Sequence, residues 1–150
     1  MREILFRGKT EEGEWLKGCL HKIDGIGKGY MAYAIQVQDI NTCMCRPHSH
    51  EVIPETVGQF TGLTDKNGKK IFEGDCWLDT DDDYLLYVVE FRNGQFCFVS
   101  YGVRGALMEY GWDETAGGWG ECDCEPMTDY NIGTIEIIGN IHDNPELLKG

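Results

Sequence analysis

The stretch that decides the fold is Glu55–Asp75, which reads ETVGQFTGLTDKNGKKIFEGD. It contains the strongest hairpin signal in the sequence, because Asn67-Gly68 supplies two residues that tolerate positive φ after an apolar run ending near Leu63. A second sharp turn follows at Glu73-Gly74-Asp75, where the glycine permits a bend and the carboxylate can accept local N–H bonds. The stretch therefore predicts consecutive antiparallel strands.

The segments on both sides show the same strand periodicity. Apolar and other residues alternate, and clusters of turn-forming residues separate the runs, including a second Asn-Gly pair at Asn93-Gly94. The predicted strands are Glu3–Arg7, Trp15–Leu20, Tyr30–Gln38, Val57–Leu63, Lys69–Phe72, Cys76–Leu78, Tyr84–Phe91, Gln95–Val99 and Thr134–Ile141. Gly139 interrupts the last one, and Pro145 is placed to begin one helical turn.

This pattern predicts a mainly β protein. A meander of hairpins must curl to bury its aromatic residues, so we expect a small SH3-like β-barrel over residues 51–150. Residues 1–50 form a β-hairpin annex to the same unit. Residues 100–131 are rich in glycine and aromatics without a clear period, which predicts a long loop.

Composition restricts the class of protein. A chain of 150 residues with 41% hydrophobic residues is large enough to form a hydrophobic core. On folding, a chain of this length buries roughly 70% of the surface that the unfolded chain exposes. No apolar run approaches the ~20 residues that span a bilayer, and the N-terminus lacks a signal-peptide core. We expect a cytoplasmic protein of a bacterial cell that does not bind membranes.

The net charge of −13 is unevenly distributed: residues 1–50 sum to +1, residues 51–100 to −6 and residues 101–150 to −8. Phosphate backbones attract clustered Lys and Arg, so nucleic-acid binding is disfavoured. Solubility is the simple explanation of the acidity. The alternative is that the protein mimics DNA and inhibits a nucleic-acid-binding protein of the host.

The sequence suggests one metal site, at Cys43, Cys45, His48 and His50. These four ligand types could enclose a tetrahedral zinc ion, with Cys122 and Cys124 as alternatives to the histidines. Structural zinc sites usually place two to four residues within each pair, whereas here there is one, so we favour ordinary thiols and surface histidines. Seven cysteines also make a complete disulfide framework improbable.

No other catalytic or metal motif is complete. Carboxylates at Asp79, Asp81, Asp83 and Glu90 imitate a calcium loop, but its glycine is replaced by Tyr84. Phosphate-loop and nucleophile-elbow patterns do not occur. A pairing of Cys97 or Cys76 with His142 stays open, although both cysteines lie in apolar strands where a buried, inert thiol is the default.

The predicted long loop offers candidate binding residues. Tyr110, Trp112 and Trp119 are aromatic, and aromatic side chains dominate interface hot spots. The alternative is that they fold back onto the barrel.

Three segments carry a resemblance to a known family. The opening Arg2–Arg7, the Glu55–Asp75 stretch and the C-terminal Ile137–Leu148 resemble the YopX family of phage and prophage proteins. The resemblance implies phage ancestry and a β scaffold, and it implies no catalytic residues, because the family has no established activity. The motif residues, which we interpret as structural, are Gln59, Thr61, Gly62, Asn67, Gly68, Glu73, Gly74, Asp75, Gly139, Asn140 and Pro145.

Together these observations predict a phage- or prophage-encoded accessory protein without a cofactor. We expect a non-enzymatic module that self-associates as a homo-oligomer and binds a host or phage protein. The alternatives are a metal-dependent enzyme using zinc and the acidic DNA mimic described above.

Overall fold

A computed structural model describes residues 2–24, 31–37, 48–79, 85–101, 124–127 and 132–147. The chain forms two compact units, Met1–Gly62 and Leu63–Gly150. The first unit extends beyond residue 50, the expected limit of the annex, because the strand after Pro54 pairs with the first strand of the chain, with Phe6 opposite Gln59.

The first unit contains five strands, in the order β4-β3-β2-β1-β5, of a six-stranded antiparallel sheet whose sixth strand, next to β5, is β6 (Lys70–Phe72). Its strands are β1 (Phe6–Lys9), β2 (Trp15–Asp24), β3 (Met31–Val37), β4 (His48–Val52) and β5 (Gly58–Thr64), which runs on into the second unit. A 3₁₀ turn at Pro54–Thr56 separates β4 from β5. Strand β4 was not predicted.

Strand β2 serves two neighbours in succession. Its first part, from Trp15 to Gly18, pairs with β1, and its second part, from Cys19 to Asp24, pairs with β3. The change of partner occurs at Gly18, where a Cβ atom would collide with the carbonyl oxygen of Gln36. Only glycine allows this approach, so residue 18 determines where the sheet bends.

The second unit contains a second antiparallel sheet with the order β10-β9-β8-β7-β11. Its strands are β7 (Asp75–Asp79), β8 (Leu85–Arg92), β9 (Gln95–Tyr101), β10 (Cys124–Pro126) and β11 (Gly139–Asn140), and β6 (Lys70–Phe72) precedes them. Strand β10 lies in the region predicted as a long loop, with Cys124 opposite Val99.

The two Asn-Gly turns differ. Asn93 and Gly94 both have positive φ, 53° and 78°, and they join Arg92 to Gln95 in a two-residue hairpin, as predicted. In the first turn only Gly68 has positive φ, 79°. That turn is longer, since the N–H of Asp65 donates to the carbonyl of Lys69 (2.9 Å), and it joins strands that end and begin close to the predicted Leu63 and Lys69.

Both faces of the second sheet are covered by apolar side chains. On one face, Trp77 stacks on Tyr87 with ring centroids 4.6 Å apart and meets Phe98 edge to face. On the other face, Cys76, Leu86 and Val88 form a smaller buried cluster. The alternation along β7 and β8 therefore supplies two cores.

The C-terminal segment contributes to both cores. Ile135 and Ile137 pack in the Trp77 cluster, whereas Ile141 and Leu147 pack against the Cys76 cluster. The segment passes the sheet edge as β11, which has only two residues. Of the predicted strand Thr134–Ile141, which Gly139 was expected to interrupt, only Gly139–Asn140 is a strand, because the segment crosses from one face of the sheet to the other. The predicted turn at Pro145 is a 3₁₀ turn, Pro145–Leu147.

A buried carboxylate joins the C-terminal segment to the first hairpin turn. The Asp65 side chain accepts the N–H groups of Asn67 (2.8 Å), Lys69 (2.9 Å) and Ile137 (3.1 Å). Burial raises the pKa of this carboxyl, but the N–H groups of Ile137, Lys69 and Asn67 outweigh burial and hold the pKa below its ordinary value. The exposed pair Lys66–Glu136 (2.7 Å) closes the same junction.

The mainly β class is confirmed, and the described residues contain no α-helix. The SH3-like barrel is not confirmed: the described strands form open sheets, and no ladder among them joins β10 to β11. None of the described residues belongs to a helix of the length and hydropathy that a membrane span requires.

We expect Asp65→Asn to lower the free energy of unfolding by about 2 kcal/mol, because an amide accepts these bonds less well and presents an N–H group to one of the donors. Since the folded-state pKa of Asp65 is the lower one, its contribution is complete above pH ~4 and is lost as pH falls through that pKa. Urea unfolding at several pH values measures both effects.

The control for this variant is Asp143→Asn, whose exposed carboxylate accepts the side-chain N–H of Asn140 (3.1 Å). This variant removes the same charge and should lower the free energy of unfolding by less than about 0.5 kcal/mol. Equal losses in the two variants, or a difference that persists unchanged in acid, would contradict the role given to Asp65.

Candidate binding cleft

The first unit contains a cleft of about 440 Å³. Three segments surround it: the turn between β1 and β2, the start of β3, and the end of β4 with the residues that follow. The lining residues are Thr10, Glu11, Glu12, Ala32, Tyr33, His50, Glu51, Val52, Ile53 and Pro54.

The first wall is a turn organised by Thr10. The N–H of Thr10 donates to the carbonyl of Glu14 (2.9 Å), and its hydroxyl accepts the N–H of Glu14 (3.2 Å). Gly13 completes the turn with a φ of 90°. Because Thr10 is buried and held from both sides, the turn presents Glu11 and Glu12 to solvent in a fixed place.

The second wall is the end of β4, which is tied to β1. The N–H of Ile53 donates to the carbonyl of Lys9 (2.8 Å). The Thr56 hydroxyl accepts the N–H of Lys9 (2.8 Å) and donates to the carbonyl of Ile53 (2.6 Å). These bonds hold the C-terminal end of β4 against the C-terminal end of β1, although the two strands are not neighbours in the sheet.

A close contact between Gly8 and Val52 lies beneath this wall. A Cβ atom at residue 8 would lie 2.9 Å from both Cβ and Cγ2 of Val52. Val52 is buried, and so is Ala32 on the adjacent strand. The absence of a side chain at residue 8 therefore lets β4 close over β1, and Val52 with Ala32 gives the cleft apolar surface.

The third wall is Tyr33, which is half-buried in β3 between two partners. It lies opposite Val52 of β4 and opposite Lys22 of β2. The Lys22 ammonium lies 5.5 Å from the centroid of the Tyr33 ring, which is a cation–π distance. The ring is thus placed where it attracts positive charge.

The rim of the cleft is acidic. Glu11, Glu12 and Glu51 are exposed, and none of them forms an ion pair with a residue that the structure describes. Among the lining residues that the structure describes there is no Lys or Arg. Like charges so close together create a negative potential that a cation would relieve.

One side of the cleft is also a sheet edge. Among the described strands, β4 is hydrogen-bonded to β3 and to no other strand. In an antiparallel ladder successive residues direct their N–H and C=O groups alternately towards the neighbour and away from it. Strand β4 therefore presents outward backbone groups beside the cleft, as an edge strand does.

This arrangement offers contacts suited to a ligand. Three side-chain carboxylates, a tyrosine and an apolar floor suit a cationic group on an extended chain. Within residues 2–24, 31–37, 48–79, 85–101, 124–127 and 132–147, no three His, Cys, Asp or Glu side chains are grouped as metal ligands.

The residues of the predicted metal site are only partly described. His50 lines the cleft, and His48 is the first residue of β4. Cys43, Cys45 and Cys122 lie outside the described residues, and Cys124 is placed in β10 by its backbone alone. Zinc binding by this set stays a prediction. Of the calcium-like pattern, against which the missing glycine argues, Asp81 and Asp83 lie outside the described residues.

The predicted binding aromatics Tyr110, Trp112 and Trp119 also lie outside the described residues. The cleft was not predicted, since its residues come from segments that the sequence leaves far apart. The detectable signal was modest: a polar, threonine-led turn with two exposed glutamates, and a glycine inside the first strand.

Cys76 and Cys97 were both expected to be buried, inert thiols, and one of them is not. Cys76 is a buried free thiol whose Sγ donates to the carbonyl of Gly74 (3.7 Å), in agreement with an inert thiol. Cys97 is also fully buried, but it is disulfide-bonded, so the expected free thiol is wrong there. The side chain of its partner cysteine lies outside the described residues.

The residues of the two sequence motifs occupy strand pairings and turns. Asp75 is buried at the start of β7, where its carboxylate accepts the N–H of Phe72 (2.8 Å), and it lies opposite Asn140 of β11. The Asn140 side chain accepts two backbone N–H groups of the C-terminal turn. The remaining motif residues are Gln59, Thr61 and Gly62 in β5, Asn67 and Gly68 in the first turn, Glu73 and Gly74 before β7, Gly139 in β11 and Pro145 in the last turn.

A comparison with protein families finds a match over nearly the whole chain. A family model described as YopX protein matches residues 5–149. The chain belongs to the YopX family.

One solved structure similar to this YopX-family chain is the crystal structure of protein EF1440 from Enterococcus faecalis. It is 22% identical, covers 99% of each chain and has a TM-score of 0.48. No curated protein matches the sequence.

We expect Gly8→Ala to destabilise the first unit by about 1–3 kcal/mol, because the new methyl group must displace Val52 from beneath the cleft. Combining Val52→Ala with Gly8→Ala removes Cγ1 and Cγ2 of Val52, two of the three colliding atoms. The double variant should therefore lose less free energy of unfolding than the two single variants together. Denaturant unfolding of the four proteins measures this coupling, and strict additivity would contradict the contact.

Proposed function

We propose that this YopX-family protein is a non-enzymatic protein-binding module that takes an extended segment of another polypeptide beside β4. We further propose that it is an accessory protein of a phage or prophage and acts in the bacterial cytoplasm. The second statement rests on the family resemblance of its motifs, and the first rests on the structure of the first unit.

The observation that carries the proposal is the coincidence of a sheet edge with a cleft. Edge strands are templates for pairing with another chain, and many recognition domains bind peptides by adding a strand. In that mode backbone hydrogen bonds supply affinity and neighbouring pockets select side chains. Strand β4 offers outward backbone groups, and His50 and Glu51 in the same strand line the pocket.

The second sheet is less suited to the same role. Its edges are β10, with three residues, and β11, with two. Strand β4 has five residues, so it presents a longer row of backbone groups. For this reason the proposal places the binding edge in the first unit. The aromatic residues of the predicted loop stay candidates for a second contact with the partner.

The test is a selection of peptides from a random display library, followed by hydrogen–deuterium exchange. We expect the selected peptides to slow exchange in β4. Ser49 and His50 are adjacent in β4, so the backbone N–H of one points towards β3 and that of the other points away from it. Proline removes the N–H group, so of Ser49→Pro and His50→Pro the substitution at the outward-pointing position should leave the fold intact and abolish peptide binding. The other should unfold the first unit, as circular dichroism will show.

Ser49→Ala is the matched control, since it keeps the backbone N–H and should bind as the wild type does. Failure to enrich any peptide would contradict the proposal. So would full binding by the proline variant that folds, because a strand added to β4 needs the outward N–H group.

Self-association is part of the proposal, because β4 of a second copy can pair with the same edge. Each copy carries a net charge of −13, so two copies repel at low ionic strength. We therefore expect the average mass in sedimentation velocity to rise with protein concentration, and to rise more steeply in high salt. A constant monomer mass at all concentrations and salts would refute self-association.

A further inference from the structure

We propose that the segment bound beside β4 is basic: an extended stretch of a partner protein whose alternate residues are Lys or Arg and place their charges at the acidic rim. This inference rests on the proposed function and adds the chemical class of the partner to it. The structure supports it through charge, geometry and size.

The charge argument starts from Glu11, Glu12 and Glu51. They come from two different segments of the chain, yet they border the same cleft and form no ion pair within the described residues. Two described cations lie next to the walls: Lys22 above Tyr33, and Lys9, whose side chain lies beside Gly13 of the turn. Two ammonium groups do not balance three carboxylates, so a bound segment with positive charge meets an attractive potential.

The geometry favours an extended segment over a free cation. Side chains of a strand alternate between the two faces of a sheet, so a segment paired with β4 directs every second side chain to the same side. Glu51 belongs to β4 itself, while Glu11 and Glu12 belong to the turn across the cleft. Charges at alternate positions of the segment can therefore reach both sides of the rim.

The size argument limits what can enter. A cleft of about 440 Å³ lies at the lower end of the 300–1,000 Å³ typical of ligand pockets. It admits a few side chains and no folded element. The apolar floor formed by Ala32 and Val52 suits the methylene stems of Lys or Arg, whose charged ends remain at the wet rim.

A second copy of this chain is the less favourable occupant. It brings the same three glutamates to the contact and the same net charge of −13. Like charges across an interface disfavour association, whereas complementary charges accelerate and specify it. The two occupants also respond oppositely to salt, which weakens binding of a basic segment and favours pairing of copies.

The experiment measures fluorescence anisotropy of two labelled peptides of about eight residues, enough to span β4. One alternates Lys with Thr and the other alternates Glu with Thr. We expect the Lys peptide to bind and the Glu peptide not to bind. Raising salt from about 0.05 to about 0.3 M should weaken binding of the Lys peptide at least several-fold.

Two variants of equal charge separate the cleft from the general acidity of the chain. The triple change Glu11→Gln, Glu12→Gln and Glu51→Gln should weaken binding about tenfold. The triple change Glu136→Gln, Asp143→Asn and Glu146→Gln removes the same charge from exposed positions of the second unit, outside the lining, and should weaken binding less than about twofold.

Equal losses in the two triple variants, or equal binding of the Lys and Glu peptides, would overturn the inference. If library-selected peptides protect β4 but carry no positive charge, the inference fails and the binding module stands. If no peptide of either kind protects β4, both fail. Circular dichroism of the two triple variants verifies that each is folded.

Discussion

The first unit depends on the contact between Gly8 and Val52. Strands β1 and β4 are separated by β2 and β3 in the sheet, so they meet only if the sheet curls and nothing fills the space at residue 8. The backbone bond from Ile53 to Lys9 and the two bonds of the Thr56 hydroxyl then hold the closed arrangement. A cleft remains at the closure, bordered by the turn that follows β1. The same constraint thus forms the fold of this unit and its binding surface.

The second unit is held together by a different interaction, a carboxylate surrounded by backbone N–H groups. The Asp65 carboxylate accepts N–H groups of its own hairpin turn and the N–H of Ile137 in the C-terminal segment, so it links the two. From there the segment pairs with β7 as β11 and reaches the opposite face with Ile141 and Leu147. Many of the motif residues named from the sequence lie along this route, in turns and strand pairings.

Sequence reasoning recovered the parts of the fold that local chemistry determines. Asn93-Gly94 gave the correct two-residue turn, and alternating apolar residues gave β3, β5, β7, β8 and β9 close to their observed limits. It failed where long-range contacts decide. Strand β4 has four polar residues and one apolar one, so it shows no period. The cleft joins residues 10–12 to residues 50–54, a proximity that no local pattern encodes, and the charge of +1 over residues 1–50 gave no hint of an acidic rim.

The central claim is that an extended, positively charged segment of another protein binds along β4 at the acidic cleft. The most direct measurement is a crystal structure of the chain with the alternating Lys-Thr peptide. The account predicts a peptide strand hydrogen-bonded to the outward groups of β4, with its lysines near Glu11, Glu12 and Glu51. A peptide bound to the second unit, or one lying across the cleft without backbone bonds to β4, would contradict it.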